Sequence, residues 1–264
     1  MHMQDHTIRN AVIGAIIGDI VGSRFEFANW RDPDFVWMDK TCFFTDDTVL
    51  TLATLWALIE GRDFAEAYRR FGRAHPDAGY GSRFIRWLYM NEPRPYGSKG
   101  NGAAMRVSPI AQVHHRDGLE VCDRLAIQSA SVTHDHPEGI RAARAVTHAI
   151  YHALIGDRAA VLRVAAQFGY LWHTTVADLR RSYQYSELAE DTVPPVFVCF
   201  QEASDFESCV RNAVSIGGDA DTLGAIAGSI AGAFFGIPGT WVERARAYLT
   251  PDLAALYDIA LQYC

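Results

Sequence analysis

The chain has 264 residues, of which 49% are hydrophobic and 21% charged, close to the average of soluble globular proteins. It carries 24 Lys and Arg against 31 Asp and Glu, a net charge of -7, which counts against a general nucleic-acid or anionic-membrane binder because those partners select surplus positive charge. Five dispersed cysteines without a CxxC pair exclude a zinc ribbon or redox pair and fit reduced thiols in a cytoplasmic protein.

The polar stretch 1–10 carries no apolar signal-peptide core. Helical periodicity then dominates. Residues 11–21 are apolar apart from Gly14, Gly18 and Asp19. Residues 48–60 place Val49, Leu52, Ala53, Trp56 and Ile59 along one face. Residues 64–74 read as a surface helix, and 119–131 and 138–155 as further helices, the latter opened by Pro137. Helices over 157–169, 195–203, 206–216, 222–235, 241–248 and 252–262 complete the pattern. Alternating runs of β-branched residues are scarce, so the fold class expected is all-α: one compact multi-helix domain, with no linker and no fixed-period repeat. The longest apolar stretch, 223–238, is too short for a membrane span.

Two helices carry glycines four apart: Gly14, Gly18 and Gly22 in the first, and Gly224, Gly228, Gly232 and Gly236 in the last long one. Residues at i and i+4 share a face. Each glycine costs about 0.5–1 kcal/mol against alanine in a helix, and close approach of two central helices would offset that cost. Two segments resist helix, 23–44 and 183–195, and long irregular stretches of this kind serve as lids or binding loops.

Carboxylates gather at two helix starts. Thr45, Asp46, Asp47 and Thr48 open one apolar helix; Asp219, Asp221 and Thr222, after Gly217 and Gly218, open another. Either set alone suits helix capping. Together they would hold four carboxylates in one place, which requires protonation or a cation. Oxygen-only ligands favour Mg²⁺, Mn²⁺ or Ca²⁺ over zinc. The expectation is a binuclear site of Thr45, Asp46, Asp47, Asp219, Asp221 and Thr222. Glu26, between Phe25 and Phe27, is a candidate general base or metal ligand, or an ordinary loop carboxylate. The small-residue loop from Gly97 through Gly100, Asn101, Gly102 and Ala103 to Met105 offers backbone N–H groups as an anion nest before a helix, and Gly79, Tyr80, Gly81 and Ser82 form a weaker candidate. His134 and Asp135 raise an alternative, an HD-type phosphohydrolase, with His114 or His115 as a further ligand; it leaves both aspartate pairs unexplained.

The order of these pieces resembles the ADP-ribosylglycohydrolases, the group that includes dinitrogenase reductase-activating glycohydrolase and the ADP-ribosyl-acceptor hydrolases. The matching segments are Gly14 to Asp19 with Glu26 downstream, Phe44 to Thr48, Gly100 to Arg106, Thr133 and His134 with Pro137 to Gly139, and Gly217 to Thr222. The resemblance implies an all-α fold with two divalent cations, Mg²⁺ or Mn²⁺, in a central cleft. It implies hydrolysis of the ribosyl bond of an ADP-ribosylated protein or small-molecule acceptor, with arginine as the favoured acceptor and ADP-ribose as the product. Serine, nucleobase and small-ester linkages remain open, and nucleic acid enters only as an ADP-ribosylated substrate. The Thr-Asp-Asp and Asp-x-Asp-Thr elements map to metal ligation. Glu26 and Asp47 inherit candidate catalytic roles. Gly100, Asn101, Gly102, Ala103 and His134 map to the ADP-ribose pocket, and Tyr80 and Gly81 to a diphosphate-contacting turn; apart from the resemblance, Tyr183 and Tyr185 are loop aromatics of the kind that stacks on adenine. A non-catalytic ADP-ribose-binding protein is the remaining alternative. Residues 157–206 align with no family motif, which makes them the place to look for acceptor selection.

Overall fold

Asn10 begins the architecture. Its side-chain oxygen accepts from Val12 N at 2.9 Å and Ile13 N at 3.0 Å, capping α1 (Ala11–Gly22) as asparagine does at helix starts. Its amide donates to Ala260 O at 2.8 Å, and its backbone N–H to Gly232 O at 3.2 Å. The computed structural model describes residues 7–264. Residues 1–6, part of the polar stretch read as lacking a signal core, lie outside the described residues.

After α1 come α2 (Asp46–Glu60), α3 (Phe64–Ala74), α4 (Ser82–Leu88), α5 (Gly102–Met105), α6 (Ser108–His114), α7 (Leu119–Ser131) and α8 (Pro137–Leu154). They are followed by α9 (Arg158–Gln167), α10 (Val176–Ser182), α11 (Ala189–Glu202), α12 (Phe206–Ser215), α13 (Ala220–Phe234), α14 (Gly239–Arg246) and α15 (Pro251–Ala260). The strands β1 (Thr7–Ile8) and β2 (Ile237–Pro238) form one antiparallel pair with Ile8 opposite Ile237. The fold is all-α around one hydrophobic cluster that runs from Ala11 to Ala260. No described helix is long and apolar enough to cross a membrane.

The axis of the fold is α1 against α13. Every residue of α1 is buried. A Cβ built on Gly14 would lie 2.1 Å from Gly228 O, one on Gly18 1.9 Å from Gly224 O, and one on Gly22 2.2 Å from Ala220 O. The glycine stripes thus face one another, backbone against backbone, where no side chain fits. The dense contact offsets the glycine cost because dispersion rises steeply as atoms approach.

Two short helices, α4 and α10, escaped the periodicity, and α5 falls inside the 97–105 stretch read as a loop, with α6 as the helix expected after it. At seven, four and seven residues for α4, α5 and α10, they span at most two turns, too short for a period to register. The segment 183–195 is not irregular throughout. α11 begins at Ala189 and carries Pro194 and Pro195 inside it. Proline in a helix interior removes a hydrogen bond and costs about 3 kcal/mol, so reading a helix start at 195 followed the local rule. Burial of Thr192, Val193, Val196 and Phe197 in the core offsets that cost. The segment 23–44 is irregular as expected, apart from a single 3₁₀ turn at Ser23–Phe25.

Candidate active site

The start of α2 is built on Asp19, near the end of α1. Asp19 is wholly buried. Its carboxylate accepts from Thr45 N at 3.0 Å, Thr45 Oγ1 at 2.8 Å and Thr48 N at 3.1 Å, and also from the Thr48 hydroxyl. Four donors converge on one carboxylate, which satisfies orphan N–H groups at the helix end and fixes the direction of the Thr45-Asp46-Asp47 turn. Asp46 N adds a 2.7 Å bond to Ala78 O. Asp19 lies within a motif noted above, yet nothing there assigned it a role. An isolated charge in a fully apolar helix was the signal that pointed to it.

The start of α13 depends on Gly217 and Gly218, at φ 77° and 74°, a left-handed conformation that glycine adopts without strain. A Cβ on Gly217 would lie 2.5 Å from Asn29 Oδ1, and one on Gly218 2.6 Å from the Tyr183 ring. The turn delivers Asp219 and Asp221 into the same space as α2. Asn101 Nδ2 donates to Asp219 Oδ2 at 2.6 Å and to Thr192 Oγ1 at 3.1 Å, and Thr222 Oγ1 donates to Asp47 Oδ2 at 3.1 Å. Arg31, which the sequence did not single out, ties the 23–44 segment to the site: it donates to Tyr183 O at 2.6 Å, Arg180 O at 3.2 Å and Ile216 O.

Between these helix ends lies a cleft of about 260 Å³. Thr45, Asp46, Asp47, Asp219, Asp221 and Thr222 all line it, and so does Glu26. Carboxylate oxygens of Glu26, Asp219 and Asp221 lie within 4.8 Å of one another. Gly81, Gly100, Asn101, Gly102 and His134 line the remainder. Two expected residues do not face the cleft. Tyr80 turns inward, with its ring 5.3 Å from that of Phe84, and Ala103 is wholly buried in the core. The turn at Tyr80 reaches the cleft through Gly79, Gly81 and Ser82 instead. Tyr183 is buried with its hydroxyl on Asp191 O, whereas Tyr185 lines the cleft beside Glu187. Tyr96, Arg83 and Arg106 also line it; Tyr96 and Arg83, isolated residues without a spacing pattern, carried no sequence signal, and Arg106 closes the Gly100 to Arg106 segment without having been given a role.

The HD-type constellation is not assembled. Asp135 is exposed and accepts from Gly97 N at 2.6 Å. His114 pairs with Asp117 at 2.8 Å. Among the described residues, neither His134 nor Asp135 belongs to a group of ligand atoms close enough to hold an ion.

The electrostatics of the cleft are those of crowded, desolvated carboxyls. Burial, then the charge of Asp221, pushes Asp46 and Asp47 well above the ordinary aspartate range. Burial and Asp219 do the same to Asp221. Asp19 and Asp219 are pushed up to about 6 mainly by burial. Glu26 is pushed up to about 8 by burial and then by Asp221 and Glu187. Asp47 Oδ1 and Asp221 Oδ1 are buried with no hydrogen-bond partner among the described residues. Unpartnered buried carboxylate oxygens are costly, and hard cations are bound by oxygen sets of this kind. The residues present therefore fit divalent cations, which would satisfy those oxygens and reverse the upward shifts.

The chain resembles known proteins over nearly all of its length. The family described as ADP-ribosylglycohydrolase matches residues 3–263. The ADP-ribosyl-[dinitrogen reductase] glycohydrolase of Rhodospirillum rubrum is 29% identical over 95% of this chain and 94% of its own length. The human ADP-ribosylhydrolase ARH3 is 26% identical over 94% of this chain and 91% of its own. A solved structure titled ADP-ribosylglycohydrolase-related protein complex superimposes with a TM-score of 0.68 at 26% identity, covering 96% of this chain and 97% of that one. With residues 3–263 matched by the family model and the fold shared with a solved member, the chain belongs to the ADP-ribosylglycohydrolase family.

Proposed function

We propose that the protein is a single-domain, divalent-metal-dependent hydrolase that cleaves the ribosyl bond of ADP-ribosyl-arginine on proteins and releases ADP-ribose. The observation that carries this reading is the convergence of Asp46, Asp47, Asp219 and Asp221 with Glu26 on one cleft. Thr45, Asp46, Asp47, Asp219, Asp221 and Thr222 would hold Mg²⁺ or Mn²⁺. Bound there, such cations supply orientation of ribose hydroxyls and a bound water of lowered pKa.

This chain's own residues do the rest. Glu26 and Asp47 are the candidates for handling the proton of the leaving group or of the attacking water. Nearby carboxylates offset positive charge that develops at the anomeric carbon. Gly100, Asn101, Gly102 and His134 form the wall that would hold ADP-ribose. Asn101 is fixed from both sides, by Asp219 and by its N–H bond to Glu187 O at 2.9 Å.

The mouth supports an arginine acceptor. Phe27 is 83% exposed, and its ring stacks on Tyr185 at 6.2 Å. Tyr185 Oη donates to Glu187 Oε1 at 3.2 Å. Aromatic faces beside the carboxylates of Glu26 and Glu187 are the chemistry that takes a planar cation.

The deciding experiment incubates the protein with arginine- and serine-linked ADP-ribosylated proteins, in Mg²⁺ or in EDTA, and measures free ADP-ribose. Release from the arginine linkage that EDTA abolishes is expected. Release unaffected by EDTA, or none from either linkage, refutes the proposal.

A further inference from the structure

The cleft wall contains a buried cation that the proposed chemistry does not use. Arg106 is wholly buried, and among the described residues no carboxylate pairs with it. Its guanidinium lies 4.1 Å above the Tyr68 ring. Its Nη2 donates to Ser129 O at 2.9 Å and to Thr133 Oγ1 at 3.0 Å. Thr133 Oγ1 in turn lies 2.7 Å from His134 Nδ1.

Arginine can only donate, so Thr133 Oγ1 accepts from it. The second lone pair of Oγ1 could take an Nδ1–H; if instead the threonine hydrogen points at His134 Nδ1, Nδ1 is the acceptor. A neutral imidazole has one N–H, and its remaining place is Nε2. Burial, then the charges of Arg106 and Arg83, pushes His134 well below its ordinary value, so the ring is neutral at pH 7. Nε2 has no hydrogen-bond partner among the described residues, and it faces the glycine loop. A Cβ on Gly102 would lie 3.2 Å from His134 Cε1 and 3.3 Å from Nε2, so glycine at that place keeps the imidazole edge open.

We propose that Arg106 and Thr133 are positioning residues that hold His134 in the Nε2–H tautomer, so that it donates to an oxygen of ADP-ribose bound in the cleft. The inference rests on the ADP-ribose reading above. It adds which nitrogen makes the contact and what sets it. Buried Arg106 then acts in two ways from the wall: its charge adds to burial in keeping the ring neutral, and its hydrogen bond to Thr133 aims the threonine proton.

The test uses the full chain, labelled with ¹⁵N-histidine, and free ADP-ribose with Mg²⁺ as the probe. Long-range ¹H–¹⁵N spectra, with His134→Gln for assignment, are expected to show the Nε2–H tautomer of His134 at pH 7 in the wild type. Thr133→Val is expected to lose that signature and to weaken ADP-ribose binding by tenfold or more. Thr133→Ser is expected to restore both, which a purely structural role for the methyl group would not do. Three results overturn the proposal: an Nδ1–H or doubly protonated ring in the wild type, wild-type spectra and affinity in Thr133→Val, or no rescue by serine. Loss of affinity in His134→Gln with no effect of Thr133→Val removes the relay and leaves the ADP-ribose reading intact. A wild type that binds no ADP-ribose removes both.

Discussion

Gly18→Ala tests whether the contact of α1 with α13 places the two halves of the cleft. The new Cβ would lie 1.9 Å from Gly224 O and 2.4 Å from Gly224 C. An ordinary contact starts near 3.4 Å, so the gap must open by 3.4 − 1.9 = 1.5 Å. Both colliding groups are main chain, with no rotamer to turn, so one helix must shift. Overpacking a core costs about 1–3 kcal/mol and occasionally more. A clash between rigid backbones belongs at the top of that range. Alanine returns about 0.5–1 kcal/mol of helix propensity. The net loss expected is about 2 kcal/mol or more, which lowers Tm by roughly 4–8 °C in a domain of this size. Gly72→Ala is the control: it gains the same propensity, and its Cβ meets only the Leu88 side chain, with Cδ2 at 2.7 Å and Cδ1 at 3.0 Å, the far end of a flexible side chain. It should fall within about 1 kcal/mol of wild type. Urea unfolding with matched m-values reads both. Because α1 carries Asp19 and α13 begins beside Asp219, folded Gly18→Ala should also bind Mg²⁺ more weakly by calorimetry. Wild-type stability in Gly18→Ala, or equal losses in the two variants, would refute the reasoning.

Asp19→Asn replaces a four-fold acceptor with a group that presents two N–H donors to N–H and O–H donors; a loss of about 2–3 kcal/mol is expected, and an unchanged urea midpoint would show that Asp19 does not organise the start of α2. Glu26→Gln should lower kcat by about 10²-fold with the ADP-ribose Kd within about twofold of wild type, since Glu26 stands at the reacting end of the cleft; a near-wild-type kcat would remove its chemical role. Metal removal couples stability to pH in a direction set by the raised carboxyls. Asp19 and Asp219 near 6 and Glu26 near 8 bind protons more tightly folded than unfolded, where aspartate titrates near 3.9 and glutamate near 4.3. Stripped protein should therefore lose stability as pH rises from about 4 through 8. Saturating Mg²⁺ should raise Tm and flatten that slope, and parallel pH profiles with and without Mg²⁺ by differential scanning fluorimetry would contradict a cation site.

Much of this molecule can be read from residue pattern alone. The spacing of Gly14, Gly18 and Gly22 against Gly224, Gly228 and Gly232 announces two helices in close contact, because only a facing backbone makes such a costly pattern favourable. Thr45-Asp46-Asp47 and Asp219-Ala220-Asp221-Thr222 announce a carboxylate cluster, because like charges gathered at two apolar helix starts require protonation or a cation. These features are local in sequence, or repeat at a fixed period, so they survive without coordinates. Other features depend on pairs of residues distant in the chain. Asp19 acts through Thr45 and Thr48, Arg31 through Tyr183 and Ile216, and Arg106 through Thr133 to His134, and no period links the members of any pair. The direction of each side chain is equally a tertiary outcome: Tyr80 turns to Phe84 while its neighbour Gly81 lines the cleft. Helix α11 runs through Pro194 and Pro195 because burial against the core outweighs a local penalty. Residue chemistry and periodicity determined which carboxylates gather at helix starts and which helices must touch; the packed core decided which side chains face the cleft, since direction depends on neighbours that only folding supplies.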